Sequence, residues 1–582
     1  MTTPPNPQDT HARRIQKLAE SRQQILSMPP EKAMAAILDH PQPAALVHSF
    51  TETDLHFLIH DIGIHDALPL IGLASNRQWE YFLDTEIWTR DQLDYPMATT
   101  WLNLLLQADP NRLIKWCFDE KLELMELYLF RNMELCVRES DQTPSDLGEG
   151  YFTDDDTFYV RFVDYPVSTP AEESLKNQRN AMLAELFRRL SLWDHPRYQG
   201  LLMEAESILP AETEEELFRL RNGRLAEKGF LPYHEAIGVY QPLGPGELAA
   251  RGKKRFHRPS ADEMPLPVPS LAATFLEGDN LFVRGLKSID APYVIDLLQT
   301  ELASLCNQVI TADGQTVRGR NQLAAAVTKV SGYLSIGLEQ ATSNRSGNRE
   351  AMAAKLLQHH FLADLFRTGF AAALELHWQA ERWRPSSWFQ AMRLELTFWD
   401  EAWLGVLGGL LLDRPKFYDP AVAGSSYRDF QAMAEIDATG RALKQMKAVD
   451  ALLERLSITR PMLGSSRFLT HKSLILTLWA RAWLNRPAIG ETATPLAIPL
   501  SAFRTFYDWL WTEKEGRRII DDSRKARFLE WLADAAGESA TDLGDRLGMV
   551  FEDLFAEIER ELAPVRAGNL DPRFIQLFLL RA

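Results

Sequence analysis

Three cysteines in 582 residues, Cys117, Cys136 and Cys306, are too few and too far apart for a disulfide framework or a cysteine zinc site. No C-x-x-C pair occurs. Long apolar runs are missing too. A membrane helix needs about 18 apolar residues in a row. The best proline-free candidate, Ala402–Leu412, is shorter and is flanked by Glu401 and Asp413. The opening MTTPPNPQDTHARR is polar and proline-rich and has no apolar centre of a signal peptide. A soluble cytoplasmic protein of the bacterial type is expected, with no membrane partner. Positive charge is the minority, with 63 Lys and Arg against 80 Asp and Glu and a net charge of −17. That field repels phosphate backbones and disfavours nucleic acid as a general partner.

Familiar catalytic motifs are also absent. There is no G-x-x-x-x-G-K-[ST] phosphate loop and no G-x-G-x-x-G after a strand. There is no G-x-S-x-G elbow: GSSY and GSSR, at Gly424 and Gly464, lack the second glycine and read as loops with helix caps. The run Asp154–Asp156 lacks the glycine and terminal glutamate of a calcium loop, so a solvated turn before a strand is expected there. His359, His360 and His377 form no E-x-x-H pair for a di-iron bundle. Common nucleotide, dinucleotide and serine-hydrolase chemistries are disfavoured.

What remains is an ordinary globular composition, 46% hydrophobic and 25% charged, on a chain long enough for about three or four units. The periodicity is helical nearly throughout. Thr10 is a candidate N-cap, and TETDLHFLIHDIG places Leu55, Leu58, Ile59 and Ile62 on one helix face before Gly63. AALVHSFTETDLHFLIHD, ALPLIGLASNRQWEYFLDT and WLNLLLQADPNRLIKWCFDE resemble one another as helix pairs ending at Asp61, Asp84 and Asp119. Such pairs stack into arrays, because one pair cannot bury its own apolar face.

Mainly α structure is expected: an N-terminal helix-pair repeat array, a small central β-containing insert and a C-terminal helical domain. The segments are a disordered tail at 1–10, the array at 11–140, a loop with a short strand at 141–170, helices at 171–240, a Pro/Gly-rich linker with a short strand at 241–290, and helices at 291–582. Alternation at Phe158, Val160 and Phe162 marks the first strand, and DNLFVRGL is read as the second. Trp388, Met392, Leu396, Trp399, Trp403, Leu407 and Leu410 step by three or four, which predicts one helix face with Glu395 partly buried beside it.

The densest polar cluster is LHFLIHDIGIHDALPLI. His56 and His60 are i, i+4 neighbours, a spacing that lets two imidazoles share a metal. A firm site needs a third ligand, and His65 lies beyond Gly63. The apolar spacing explains the segment without a metal, so no catalytic, cofactor or metal residue is assigned and no cofactor is expected. The basic run Arg251–Arg258 is read as an exposed linker, with a binding patch as its alternative.

Two stretches together, DLHFLIHDIGIHDALPLIGLASNRQWEYFLDTEIWTRDQLD at 54–94 and LLLDRPKFYD with the C-terminal DPRFIQLFLLR, resemble an uncharacterised bacterial family known only as a domain of unknown function, the 6178 group. The resemblance implies no activity, cofactor or site. Residues 30–135 are also similar to the superhelical cytosolic domain of bacterial magnesium transporters, through leucine spacing. No magnesium ligand is implied, since no acidic motif matches. The expected function is a non-catalytic helical scaffold or regulatory protein that binds another protein. The alternative is a metal-dependent enzyme of unrecognised type.

Overall fold

Prolines and capping side chains set the helix starts in the N-terminal half of the chain. The computed structural model describes residues 7–581 apart from 140–141, 252, 255–270, 277, 316–318, 344–346, 422–425, 457, 459–462, 464–468, 487–495 and 515. Nine helices follow one another: α1 (Pro7–Leu26), α2 (Pro30–Leu38), α3 (Pro43–Ser49), α4 (Glu52–Ile62), α5 (Leu68–Leu73), α6 (Asn76–Glu86), α7 (Tyr95–Ala108), α8 (Pro110–Glu120) and α9 (Leu122–Asn132). The first starts at Pro7, ahead of the expected cap at Thr10. Pro30, Pro43, Pro69, Pro96 and Pro110 sit in first turns, where a missing N–H leaves nothing unpaired. Thr51, Ser75, Asp94 and Asp109 accept hydrogen bonds from first-turn amides. Gly63 ends α4 at φ +102°, a conformation that side chains with a Cβ rarely adopt.

From α1 to α5 each helix packs against the one two places further along the chain, the last of these pairs being α5 on α7. This buries Leu55, Leu58, Ile59, Leu70, Phe82 and Trp101. A tight hairpin, β1 (Trp88–Thr89) with β2 (Gln92–Leu93), joins α6 to α7. After α9 the chain enters β3 (Met133–Val137), which pairs antiparallel with β4 (Phe158–Phe162) in the register Leu135↔Val160. The alternation at 158–162 is therefore a strand. Its partner lies within residues expected to be helical. Met133, Leu135 and Val137 carry the period-2 signal there, but it follows a helix without a break. Asp155 shapes the turn before β4, its Oδ1 accepting from the Phe158 and Thr157 amides at 2.8 and 3.0 Å.

Three long helices follow: α10 (Pro170–Trp193), α11 (His195–Ser207) and α12 (Pro210–Ala226). α10 packs on α7 and α11, α11 on α9, and α12 on α6 and α9. The segment read as a second strand is instead the helix Leu281–Lys287. Asn280 caps it, accepting from the Val283 amide at 3.0 Å, and Gly285 lets it approach Ala353 and Leu357. Capping and close helix packing outweigh the β propensity of Phe282 and Val283.

The chain forms two compact units. One comprises residues 1–241, 246–334 and 344–366, and the other 242–245, 335–343 and 367–582. In the second, the tryptophan-rich run is not one helix. Trp388–Ala391 is a single turn, Leu396–Trp399 a 3-10 turn, and Asp400–Leu410 a separate helix. Arg393 at φ +50° and Asp400 at φ +64° break the run, and Glu395 is exposed rather than partly buried. The run REAMAAKLLQHHFLADLFRTGFAAALELHWQAERW is likewise two helices, Arg349–His359 and Leu362–Trp383, separated at the extended His360. Asp450 fixes the start of the tryptophan-rich run: its Oδ2 and Oδ1 accept from the Trp388 and Phe389 amides at 3.0 and 2.9 Å. The other strands are two- or three-residue ladders, and Leu580–Arg581 runs parallel to Ile498–Pro499. The protein is mainly α. Among the described residues no helix is long and apolar enough to cross a membrane.

Candidate functional site

Two features of the first unit bring together side chains with chemical potential. The first grows from the packing of α4 on α6. α6 is held in register by Gln78, whose Nε2 donates to the Val47 and Phe50 carbonyls at 2.8 and 3.1 Å, and by Trp79, whose indole N–H donates to the Ile71 carbonyl at 2.7 Å. Trp79, Phe82, Leu83 and Glu86 step by three, one and three, so Glu86 ends α6 on its buried face. His56 and His60 lie one turn apart on α4 and meet it there.

His56 Nε2 lies 2.7 Å and His60 Nε2 2.9 Å from the same oxygen, Glu86 Oε1. Since the carboxylate can only accept, both imidazoles donate. The rings are 4.6 Å apart between centroids, and Tyr81, Phe82 and Trp101 border them. Side-chain exposure is 4% for His56, 12% for His60 and 2% for Glu86. Burial pushes the Glu86 carboxyl up, but hydrogen bonds and charge from the two histidines outweigh it and hold the group well below the usual carboxylate range. Burial also pushes the neighbouring Tyr81 phenol up, with Glu52, Asp54 and Glu86 adding to it.

The geometric question in the sequence is thereby answered. His65 is exposed and stays outside the cluster. The third donor is Glu86, which spacing within LHFLIHDIGIHDALPLI could not reveal. A helical wheel of α6 places it on the core side, and that was the available signal. Among the described residues, His56, His60 and Glu86 are the one triad of His, Cys, Asp or Glu whose donor atoms lie within 4.8 Å of one another.

The second feature is a groove of about 350 Å³ walled by α6, β1, α8, α9 and α12. Leu83, Ile87, Trp88, Phe118, Leu122, Leu124, Leu217 and Leu220 supply its apolar lining. Five carboxylates, Glu80, Asp84, Asp119, Glu120 and Glu123, and two cations, Lys121 and Arg224, share the lining. Both cations are engaged: Lys121 pairs with Glu80, and Arg224 takes Asp84 through two contacts of 2.7 Å. Apolar surface continues outward, because Phe118 stacks on Trp193 at 5.5 Å, and Trp193 and Leu192 are 48% and 75% exposed.

Other residues singled out in the sequence are placed plainly. His377 donates from Nδ1 to the Leu410 carbonyl at 2.7 Å, and neither it nor His359 or His360 joins the triad. In the basic run, Arg251 pairs with Asp364 at 2.5 Å and Lys254 with Glu301 at 2.7 Å. Residues 252 and 255–258 lie outside the described residues, as do Gly424 and Gly464.

Fold and site together define a mainly α protein with a buried His–His–Glu cluster and a groove lined by apolar side chains and five carboxylates. The family model described as "Family of unknown function (DUF6178)" matches residues 10–581, so the chain belongs to that family. No curated protein and no solved structure matches it.

Proposed function

We propose that this protein is a non-catalytic scaffold or regulatory protein of the bacterial cytoplasm whose N-terminal helices bind another protein. The groove beside α12 carries this reading. Its lining combines eight apolar side chains with more carboxylates than cations, and its apolar surface continues through Phe118 onto Trp193, beside the exposed Leu192. Exposed contiguous apolar surface with a polar rim suits a protein ligand. Charge complementarity favours a basic amphipathic helix. The packing of each helix from α1 to α5 on the second one after it supports an array with an extended binding face. Three free cysteines, two of them buried, fit a reducing compartment. The rival reading, a metal-dependent enzyme, has the buried triad in its favour. Side chains no more than 12% exposed give a substrate little access to it, which favours the scaffold.

The test uses a fluorescein-labelled amphipathic helical peptide with lysines on its polar face, titrated into the full chain. Binding is expected to weaken on the order of tenfold with Leu220→Glu. That change adds negative charge, so mere electrostatic adhesion would strengthen instead. Equal binding by Leu220→Glu and the unaltered chain would overturn the groove as the docking site.

A further inference from the structure

We propose that His56, His60 and Glu86 bind one zinc-type divalent cation, which clamps α4 to α6. The inference is independent of the groove and of the scaffold reading. Two imidazole nitrogens one helical turn apart and a carboxylate from the facing helix make a two-histidine, one-carboxylate donor set. That set suits borderline transition-metal ions. It does not suit calcium, which takes six to eight oxygens, or magnesium, which prefers oxygen ligands and water.

The geometry fits with small adjustment. Zinc sits about 2.0–2.2 Å from nitrogen and oxygen donors, which sets tetrahedral donors roughly 3.3 Å apart. The two nitrogen-to-oxygen separations are 2.7 and 2.9 Å. Each lengthens by about half an ångström to admit the ion, a change side-chain torsions can supply. A bidentate mode of the Glu86 carboxylate would complete four donors without a water. On binding, each imidazole presents its Nε2 lone pair to the cation. The proton it carries there moves to Nδ1, or leaves to solvent from a doubly protonated ring.

Energetics favour a ligand over a bare polar triad. One carboxylate and one histidine already satisfy each other, and a second imidazole brought into the same apolar pocket, among Tyr81, Phe82 and Trp101, adds desolvation cost. A cation makes all three groups contribute at once. The donors are also held from outside: Thr51 caps α4, the Ser75–Gln78 capping box starts α6, and Gln78 ties α6 to the end of α3. Such support fixes ligand orientation before the ion arrives. The enclosure marks a structural role, since a catalytic zinc keeps an open position for substrate.

The experiment uses the full chain purified without an affinity tag. It is stripped by chelation and dialysed against zinc chloride, with bound metal read by mass spectrometry and melting followed in parallel. About one zinc per chain is expected, with a rise in melting temperature on loading. Glu86→Gln and His60→Gln should weaken binding on the order of 100-fold and abolish the rise, while His65→Ala and Cys136→Ser should leave both intact. Magnesium at the same concentration should give no rise. Should the ligand variants fail to fold, cobalt loading of the unaltered chain decides. Tetrahedral ligand-field bands without a thiolate charge-transfer band support the site. Absent bands, thiolate charge transfer, substoichiometric zinc, or zinc binding unchanged in Glu86→Gln would each overturn it.

Discussion

Arg224 grips Asp84 with two parallel hydrogen bonds of 2.7 Å, tying α12 to α6 across 140 residues of chain. Burial pushes the Asp84 carboxyl up more than Arg224 draws it down, while the same pairing raises Arg224. Removing the arginine therefore leaves a buried carboxylate without its cation. Arg224→Ala should cost about 2–3 kcal/mol in urea unfolding, below the full value for a buried pair because Arg224 is a third exposed. Arg224→Lys should recover less than half, since an ammonium cannot make the two-pronged contact. A cost under about 0.5 kcal/mol would show the pair to be energetically idle.

Gly405 lies in the helix Asp400–Leu410, where alanine ordinarily stabilises by up to about 1 kcal/mol. Here an added Cβ would fall 2.4 Å from the ring of Tyr418. Gly405→Ala should instead destabilise by about 2 kcal/mol. Combined with Tyr418→Ala it should cost less than the two changes summed, because the clash is gone. A stabilised Gly405→Ala would contradict the close packing of this helix on the strand Phe417–Tyr418.

His471 opens the helix His471–Trp483, stacked 4.6 Å from Trp403 at an interplanar angle of 6°. Burial lowers its pKa to about 4, against a partly offsetting hydrogen bond to the Phe398 carbonyl. The folded state keeps it neutral, so between about pH 6.5 and 4 the unfolded chain binds more protons, and stability is lost as the pH drops through that window. The full loss is about 3 kcal/mol. His471→Gln should flatten the stability profile across that window and leave it unchanged in slope above pH 7. An equal slope in both proteins would refute the assignment.

Asp450 offers its two oxygens to the amides that begin Trp388–Ala391, and the Trp383 indole N–H lies 3.3 Å from Oδ2. Asp450→Ala should cost about 2–4 kcal/mol, because two buried N–H groups lose a charged acceptor. Asp450→Asn should retain part of that, its single oxygen capping one amide. Tryptophan emission should shift in the alanine variant as the Trp383 environment opens. Unchanged stability and emission would mean water replaces the carboxylate freely.

How far the sequence reached depends on the range of the interaction. The helix α4, its Thr51 cap and its Gly63 stop were legible because periodicity, capping and φ preference act within a few residues. The strand at Phe158–Phe162 was legible for the same reason. Leu281–Lys287 was misread because four apolar residues fit strand and short helix equally, and packing on Ala353 and Leu357 chose the helix. The Trp388–Leu410 stripe failed differently. Its period was helical, but Arg393 and Asp400, both at positive φ, divide it into a turn, a 3-10 turn and a separate helix.

The same division runs through the candidate site. The pairing of His56 with His60 on one helix turn was set by sequence alone, as were the mainly α character, the acidic balance and the missing motifs of common catalysis. The third donor was decided by tertiary structure. Glu86 reaches His56 and His60 from 30 and 26 residues away, because α6 packs on α4 with its buried face inward. Local spacing says which side chains share a helix face. Only the packing of helices says which faces meet, since that is settled by burying apolar surface distributed along the whole chain.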